Sequence, residues 1–144
     1  MTILRAVALS AAHASYIEYA ARAARPYECC GALVGRRNDA DGSVTDVVRL
    51  RNSDTRPARF SIPDMELRRA RKVAQELKGE VVAIFHSHAG RALPSHPDRA
   101  AIAYSAYPWV IVGFDEQDDF EIAAFLAPSS GSLPVRIESR SICR

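Results

Sequence analysis

The chain has 144 residues, 48% of them hydrophobic and 25% charged, with a net charge of +2 at neutral pH. That length is enough for one domain, spanning residues 1–144, to bury a core without disulfide or metal staples. Arginines scattered among acids argue against the concentrated basic face of a nucleic-acid binder, and no segment approaches the roughly 18–20 apolar residues of a membrane span.

The first run, "ILRAVAL" (3–9), reads as a strand. "SAAHASYIEYAARAA" (10–24) reads as an Ala-rich helix with Ser10 as N-cap and Pro26 ending it. One Arg before a short apolar run gives the N-terminus a faint likeness to a signal peptide, but the residues after it continue an amphipathic helix. "CGALVG" (30–35) is a short buried strand, "RRNDADGS" (36–43) a hairpin-type turn, and "VTDVVRLRN" (44–52) a half-buried strand by its alternation. "SDTRPAR" is loop and "FSI" (60–62) a short strand. "PDMELRRARKVAQELKG" (63–79) is the clearest helix, with Pro63 at its start, Gly79 closing it, and Met65, Leu67, Val73 and Leu77 as its main apolar positions. The exposed side of that helix takes "RRARK" (68–72). Then follow the strand "EVVAIFHSH" (80–88), a helix opening near Ser95, strands at 108–115 and 120–127, and a further strand in "LPVRIES". Strands and helices alternate without repeats or linkers, so the expected fold is mixed α+β, a mixed sheet with about three helices packed on it.

Cysteines number three: adjacent Cys29 and Cys30, and Cys143 near the end. Neighbouring cysteines do not form a structural disulfide, and an odd count is no framework, so a reducing cytoplasm fits best. The vicinal pair at the start of an apolar strand reads as packing rather than as a nucleophile, and Trp109 reads as core.

Chemistry concentrates in "FHSHAGRALPSHPD" (85–98). Successive side chains of a strand point to opposite faces, so His86 and His88 face the same way and Ser87 the other. Two imidazoles at a strand end offer two nitrogen ligands to a borderline metal such as zinc, and Asp98, in the first turn of the next helix, can add a carboxylate. Two histidines and one aspartate leave a fourth position open, which is the pattern of a catalytic site. His96 is a rival third ligand. Ser95 and Asp98 also fit a capping box, which is compatible with a metal-facing role. Hydrolysis needs a general base as well. The helical His-Glu-x-x-His arrangement is absent, and the candidate is Glu28, directly before the buried strand, where the bland alternative is a surface acid at a loop–strand junction.

Taken together, Glu28, His86-Ser87-His88, six intervening residues, Ser95, two more and Asp98 resemble the JAMM motif of the MPN-domain metallopeptidases. "PYECCGALVG", "RNSDTRPARFSIP" and "YPWVIVGF" are similar to the flanking strands and loop of compact prokaryotic members, so the resemblance covers about residues 3–127. It implies a curved mixed sheet of the MPN/JAB type, with a cytidine-deaminase-like layout. It further implies Zn²⁺ bound by His86, His88 and Asp98, Glu28 as the general acid/base, and Ser95 as hydrogen-bond donor to the oxyanion of the tetrahedral intermediate. One departure is Ala89, where the family usually has Pro after the second His, and its expected effect is a looser loop. The implied reaction is hydrolysis of the bond after the C-terminal Gly-Gly of a ubiquitin-like sulfur-carrier protein, releasing cysteine or a short peptide. No nucleic-acid or membrane partner is implied, and a homodimer is compatible with this reading. The rival from another class is a catalytically silent MPN scaffold. A zinc deaminase would need His-x-Glu and Pro-Cys-x-x-Cys, which this chain lacks.

Overall fold

In the computed structural model, which describes residues 4–38, 41–126 and 131–138, the alternation of apolar residues along the strands becomes the two faces of one eight-stranded sheet. The elements run β1 (Ala6–Ser10), α1 (Ala11–Ala24), β2 (Cys30–Asn38), β3 (Asp41–Leu50), α2 (Asp64–Glu76), β4 (Glu80–Ser87), α3 (His96–Ala103), β5 (Trp109–Phe114), β6 (Phe120–Leu126), β7 (Gly131–Leu133) and β8 (Val135–Glu138). Their order across the curved sheet is β7-β6-β5-β4-β2-β3-β1-β8. Pairs β4/β5, β1/β3 and β1/β8 are parallel, and β2/β3, β2/β4, β5/β6 and β6/β7 are antiparallel. The mixed α+β class expected from the sequence, a curved mixed sheet with three packed helices among the described residues, is therefore present.

Period-two alternation decides which helix covers which face. Leu33, Phe85, Val110, Val112 and Ala124 pack with Ile17, Ala20 and Ala21 of α1. Their neighbours on the opposite face, Ala32 and Ile84, pack with Ala70 of α2, while Ile111 and Phe125 pack with Ile102 of α3. Ser10 caps α1 by accepting a hydrogen bond from His13 N at 3.0 Å, as its position in the sequence predicts. Ile17, fully buried, contributes about 1.5–3 kcal/mol by leaving water.

Several local expectations need correction. Strand pairing continues through Arg36–Asn38 and Asp41–Ser43, so most of the segment expected as a turn is ladder; residues 39 and 40 lie outside the described residues. "FSI" is not a strand, because Ser61 N donates to Asn52 Oδ1 at 3.0 Å and Ser61 O accepts from Ser53 N at 2.9 Å, closing a loop. On α2, Met65 is 77% and Leu77 46% exposed, and the buried positions are the small Ala70 and Ala74, which let the helix lie close on the sheet. The C-terminal segment supplies β7 as well as β8, which pairs with β1. Cys143 lies outside the described residues. Among the described residues no helix is long and apolar enough to cross a membrane.

Candidate metal centre

Register brings the first three site residues together. Cys30 of β2 stands opposite His86 of β4, and Ser87 N donates to Cys29 O at 2.9 Å. Counting back two residues along this antiparallel pair places Glu28 beside His88, and Glu28 Oε2 lies 3.8 Å from His88 Nε2. Glu28, His86 and His88 thus bring three ligand atoms within 4.8 Å of one another, a group that could hold a metal ion. All of this occurs on the sheet face that carries α2 and α3, because His86 shares the parity of Ile84.

Asp98 reaches the same point from α3. Ser95 is the N-cap: its Oγ accepts from Asp98 N at 3.2 Å, and its own N–H donates to Asp98 Oδ2 at 3.0 Å. The capping box read from the sequence and the ligand-like placement of Asp98 are therefore both present. The capped geometry turns Asp98 inward, 5% exposed, until Oδ2 lies 3.3 Å from His86 Nε2 and 3.1 Å from His88 Nε2. The two Nε2 atoms are themselves 3.1 Å apart. Tetrahedral ligands about 2.0–2.1 Å from a zinc ion stand about 3.3–3.4 Å from each other, so this triangle has the size of one face of such a site. His96 is exposed at the start of α3 and lies outside the group.

The surroundings prepare these donors. His88 Nδ1 lies 3.1 Å from Arg91 O, a contact that places a proton on Nδ1 and turns Nε2 inward toward His86 and Asp98. His86 is fully buried, stacked on Phe60 at 4.1 Å between ring centroids, with Trp109 edge-on at 5.4 Å. Burial holds His86 below the usual imidazole range despite Asp98. Burial also works against charge on His88, but its hydrogen bond to Asp98 and the charge of Glu28 outweigh this and raise it. Asp98 shows the same contest: burial opposes its charge, and hydrogen bonds from both histidines bring it well below the carboxylate range. Glu28 goes the other way. Burial pushes it up to about 7, Asp98 and Asp54 add to the push, and His88 opposes it. One carboxylate is thus held ionised beside the imidazoles while the other is poised to take or give a proton near neutrality, a split that suits acid–base work.

Three residues that the sequence reading leaves without a role hold this arrangement. The Glu28–Cys29 peptide is gripped at both ends: Asn52 Nδ2 donates to Glu28 O at 2.9 Å, and Cys29 N donates to Ser87 Oγ at 2.9 Å. The second Asn52 Nδ2 bond goes to Arg59 O at 3.0 Å, and Asn52 Oδ1 accepts from Asp54 N and Ser61 N at 2.9 and 3.0 Å. Glu121 of β6 fixes the loop after His88, accepting from Ala92 N at 2.8 Å and Arg91 Nε at 2.6 Å, and Gly90 O accepts from Phe114 N at 2.7 Å. The loop expected to be loose for want of Pro at Ala89 is thus pinned by other means. It lies so close over β5 that a Cβ at Gly113 would come within 2.8 Å of Ala92 N. An Asn placed between a strand and a Pro-containing loop was the one signal in the sequence for Asn52; Glu121 gave none.

Beside the triangle opens a cavity of about 660 Å³ that Glu28, Ser95 and Asp98 line on one side. Trp109, expected in the core, is instead a half-buried wall of this cavity.

A family model described as prokaryotic homologs of the JAB domain matches residues 10–126. Protein DSY2949 from Desulfitobacterium hafniense, a solution structure, is 26% identical with a TM-score of 0.84, covering 94% of this chain and 95% of that one. A protein from Salinibacter ruber, also solved in solution, is 25% identical with a TM-score of 0.65, covering 94% and 92%. The crystal structure of AF2198, a JAB1/MPN domain protein from Archaeoglobus fulgidus, shares the fold at 14% identity and a TM-score of 0.55, covering 95% and 99%. No curated protein matches. With its Glu28, His86 and His88 group on this sheet, the chain belongs to the prokaryotic JAB-domain family, which includes hydrolases.

Proposed function

We propose that the protein is a zinc-dependent metallopeptidase that hydrolyses the amide bond after the C-terminal Gly-Gly of a ubiquitin-like sulfur-carrier protein, releasing cysteine or a short peptide. The observation that carries the reading is the triangle of His86 Nε2, His88 Nε2 and Asp98 Oδ2, 3.1–3.3 Å on its edges, with the Glu28 carboxylate outside it at 3.8 Å from His88. Two imidazoles and a carboxylate form a donor set suited to zinc, and a zinc ion held there would supply a Lewis acid for the scissile carbonyl and lower the pKa of water.

The chain's own groups do the rest. Glu28, too far out for the triangle, takes the proton of the attacking water and returns it to the departing amine. Ser95 Oγ has its acceptor side engaged by Asp98 N, so its O–H is left to donate to the oxyanion that forms as the carbonyl carbon becomes tetrahedral. Phe60 and Trp109 keep the His86 ring in one plane. Buried, unpaired Cys29 and Cys30 support a reducing, cytoplasmic setting.

The test has two stages. Metal analysis should give about one zinc per wild-type chain, lost in Asp98→Ala. Glu28→Gln should keep zinc and slow the cleavage of a Gly-Gly-extended carrier by about 100-fold or more. A zinc-loaded protein that leaves every such carrier of its host intact by mass spectrometry overturns the peptidase reading. Absence of zinc even after reloading transfers the argument to a silent MPN scaffold.

A further inference from the structure

The cavity beside the metal triangle is built unevenly. Its volume of about 660 Å³ lies within the range of small-molecule sites, about 300–1,000 Å³. One wall carries the reactive groups, and much of the remainder is apolar, with Phe60, Ile62, Leu67, Ile84 and Trp109. A Gly-Gly tail has no side chains with which to cover such a wall, so the glycyl side of the substrate would leave it wet. Arg59 is the one cation among the described lining residues.

Arg59 is also held ready. Its carbonyl is tied to Asn52 Nδ2, and Ala58 before it adopts a left-handed conformation at φ 59°, a strain that tends to persist at functional sites. The neighbouring acid, Asp54, is taken by Arg56, which donates Nε to Oδ1 at 3.0 Å and its terminal nitrogen to Oδ2 at 2.9 Å. Among the described residues no hydrogen bond or close ion pair engages the Arg59 guanidinium, although its charge reaches the Asp54 carboxylate.

We propose that this cavity receives the leaving-group side of the substrate, and that the leaving group has an apolar side chain and a free carboxylate that Arg59 binds. The proposal rests on the hydrolase reading and deepens it: Arg59 and the apolar wall select a departing residue with an apolar side chain and a free carboxylate. Hydrolysis adds the hydroxyl of water to the glycyl carbonyl carbon, breaks the C–N bond and leaves water's proton on the departing amine. The product in the cavity is then an amino acid or short peptide with its carboxylate on Arg59.

Trp109 is the only tryptophan of the chain, so its fluorescence reports occupancy directly, with or without turnover. The probes are the tripeptide Gly-Gly-Phe and its C-terminal amide, titrated into the full chain both metal-free and zinc-loaded. The acid is expected to bind about tenfold more tightly than the amide. Arg59→Ala should remove that difference by weakening the acid alone, and Arg59→Lys should restore part of it. Equal binding of acid and amide to the wild type overturns the proposal, as does no change in emission with either. An acid preference that survives Arg59→Ala places the carboxylate elsewhere, the zinc-loaded ion included, and also overturns it. Acid-selective, Arg59-dependent binding in a protein that cuts no carrier would sink the hydrolase reading while leaving the carboxylate site standing.

Discussion

Asn52 uses every hydrogen-bonding position of its side chain, with two N–H groups donated and two bonds accepted, and so links the peptide after Glu28 to the loop that bears Arg59. Asn52→Ala leaves Glu28 O and Arg59 O without that partner, so a stability loss of about 1–3 kcal/mol is expected in urea unfolding. Zinc content should stay at the wild-type level in the same variant, because none of the triangle's donors touches Asn52. A merely structural lesion would lower both. The cysteines give a test by pH. Burial pushes the Cys30 thiol from 9.0 up to about 12, with the neighbouring Cys29 adding to the shift. The folded chain therefore favours the neutral thiol, and its stabilising effect is complete below pH 9 and lost as pH rises from 9 toward 12. Melting temperatures between pH 8 and 11 should fall more steeply for wild type than for Cys30→Ala.

At the scale of elements, the pattern of apolar residues was a good guide wherever both faces of a strand were buried and a poor one where a helix met the sheet through small side chains. β4 was legible because "VVAIF" is apolar on both faces and the histidines follow it in phase. The apolar side of α2 was read only in part: Leu67 packs against the core, but Met65 and the C-cap Leu77 are exposed, while Ala70 and Ala74, which carry little hydrophobic signal, are buried. Met65→Gln is accordingly expected to change unfolding free energy by no more than about 0.5 kcal/mol. Ile17→Ala, which empties a fully buried position of α1, should cost about 2–5 kcal/mol in the same denaturant titration. "FSI" was misread for a different reason: its β-prone composition is overruled by Asn52, whose side chain takes the place of a ladder partner for Ser61.

For the molecule as a whole, the shared side of His86 and His88 and the cap formed by Ser95 and Asp98 were legible in advance because they follow from strand parity and helix capping, both local rules. Their convergence was not, since the approach of Glu28 to His88 depends on the register of β2 against β4 across more than fifty residues of chain, and the cavity depends on where α2, α3 and the Asn52 loop come to rest. On the zinc reading proposed above, the same convergence would couple metal to folding, because the unfolded chain scatters the donors. Zinc at about 1,000 times its dissociation constant should stabilise the protein by about 4 kcal/mol, and a chelator should abolish the increase in melting temperature. Asp98→Ala should melt at the same temperature with zinc as without.

The grip of Asn52 also bears on how the protein ages. Deamidation would replace its N–H donors by a carboxylate oxygen facing the carbonyls of Glu28 and Arg59, turning two attractions into two repulsions at once. While the fold holds that side chain still, the reaction is suppressed; each transient opening of the 52–61 loop releases it. Storage under mildly alkaline, destabilising conditions should therefore weaken the fold gradually through the loss of one ammonia at residue 52, a wear that refolding cannot reverse.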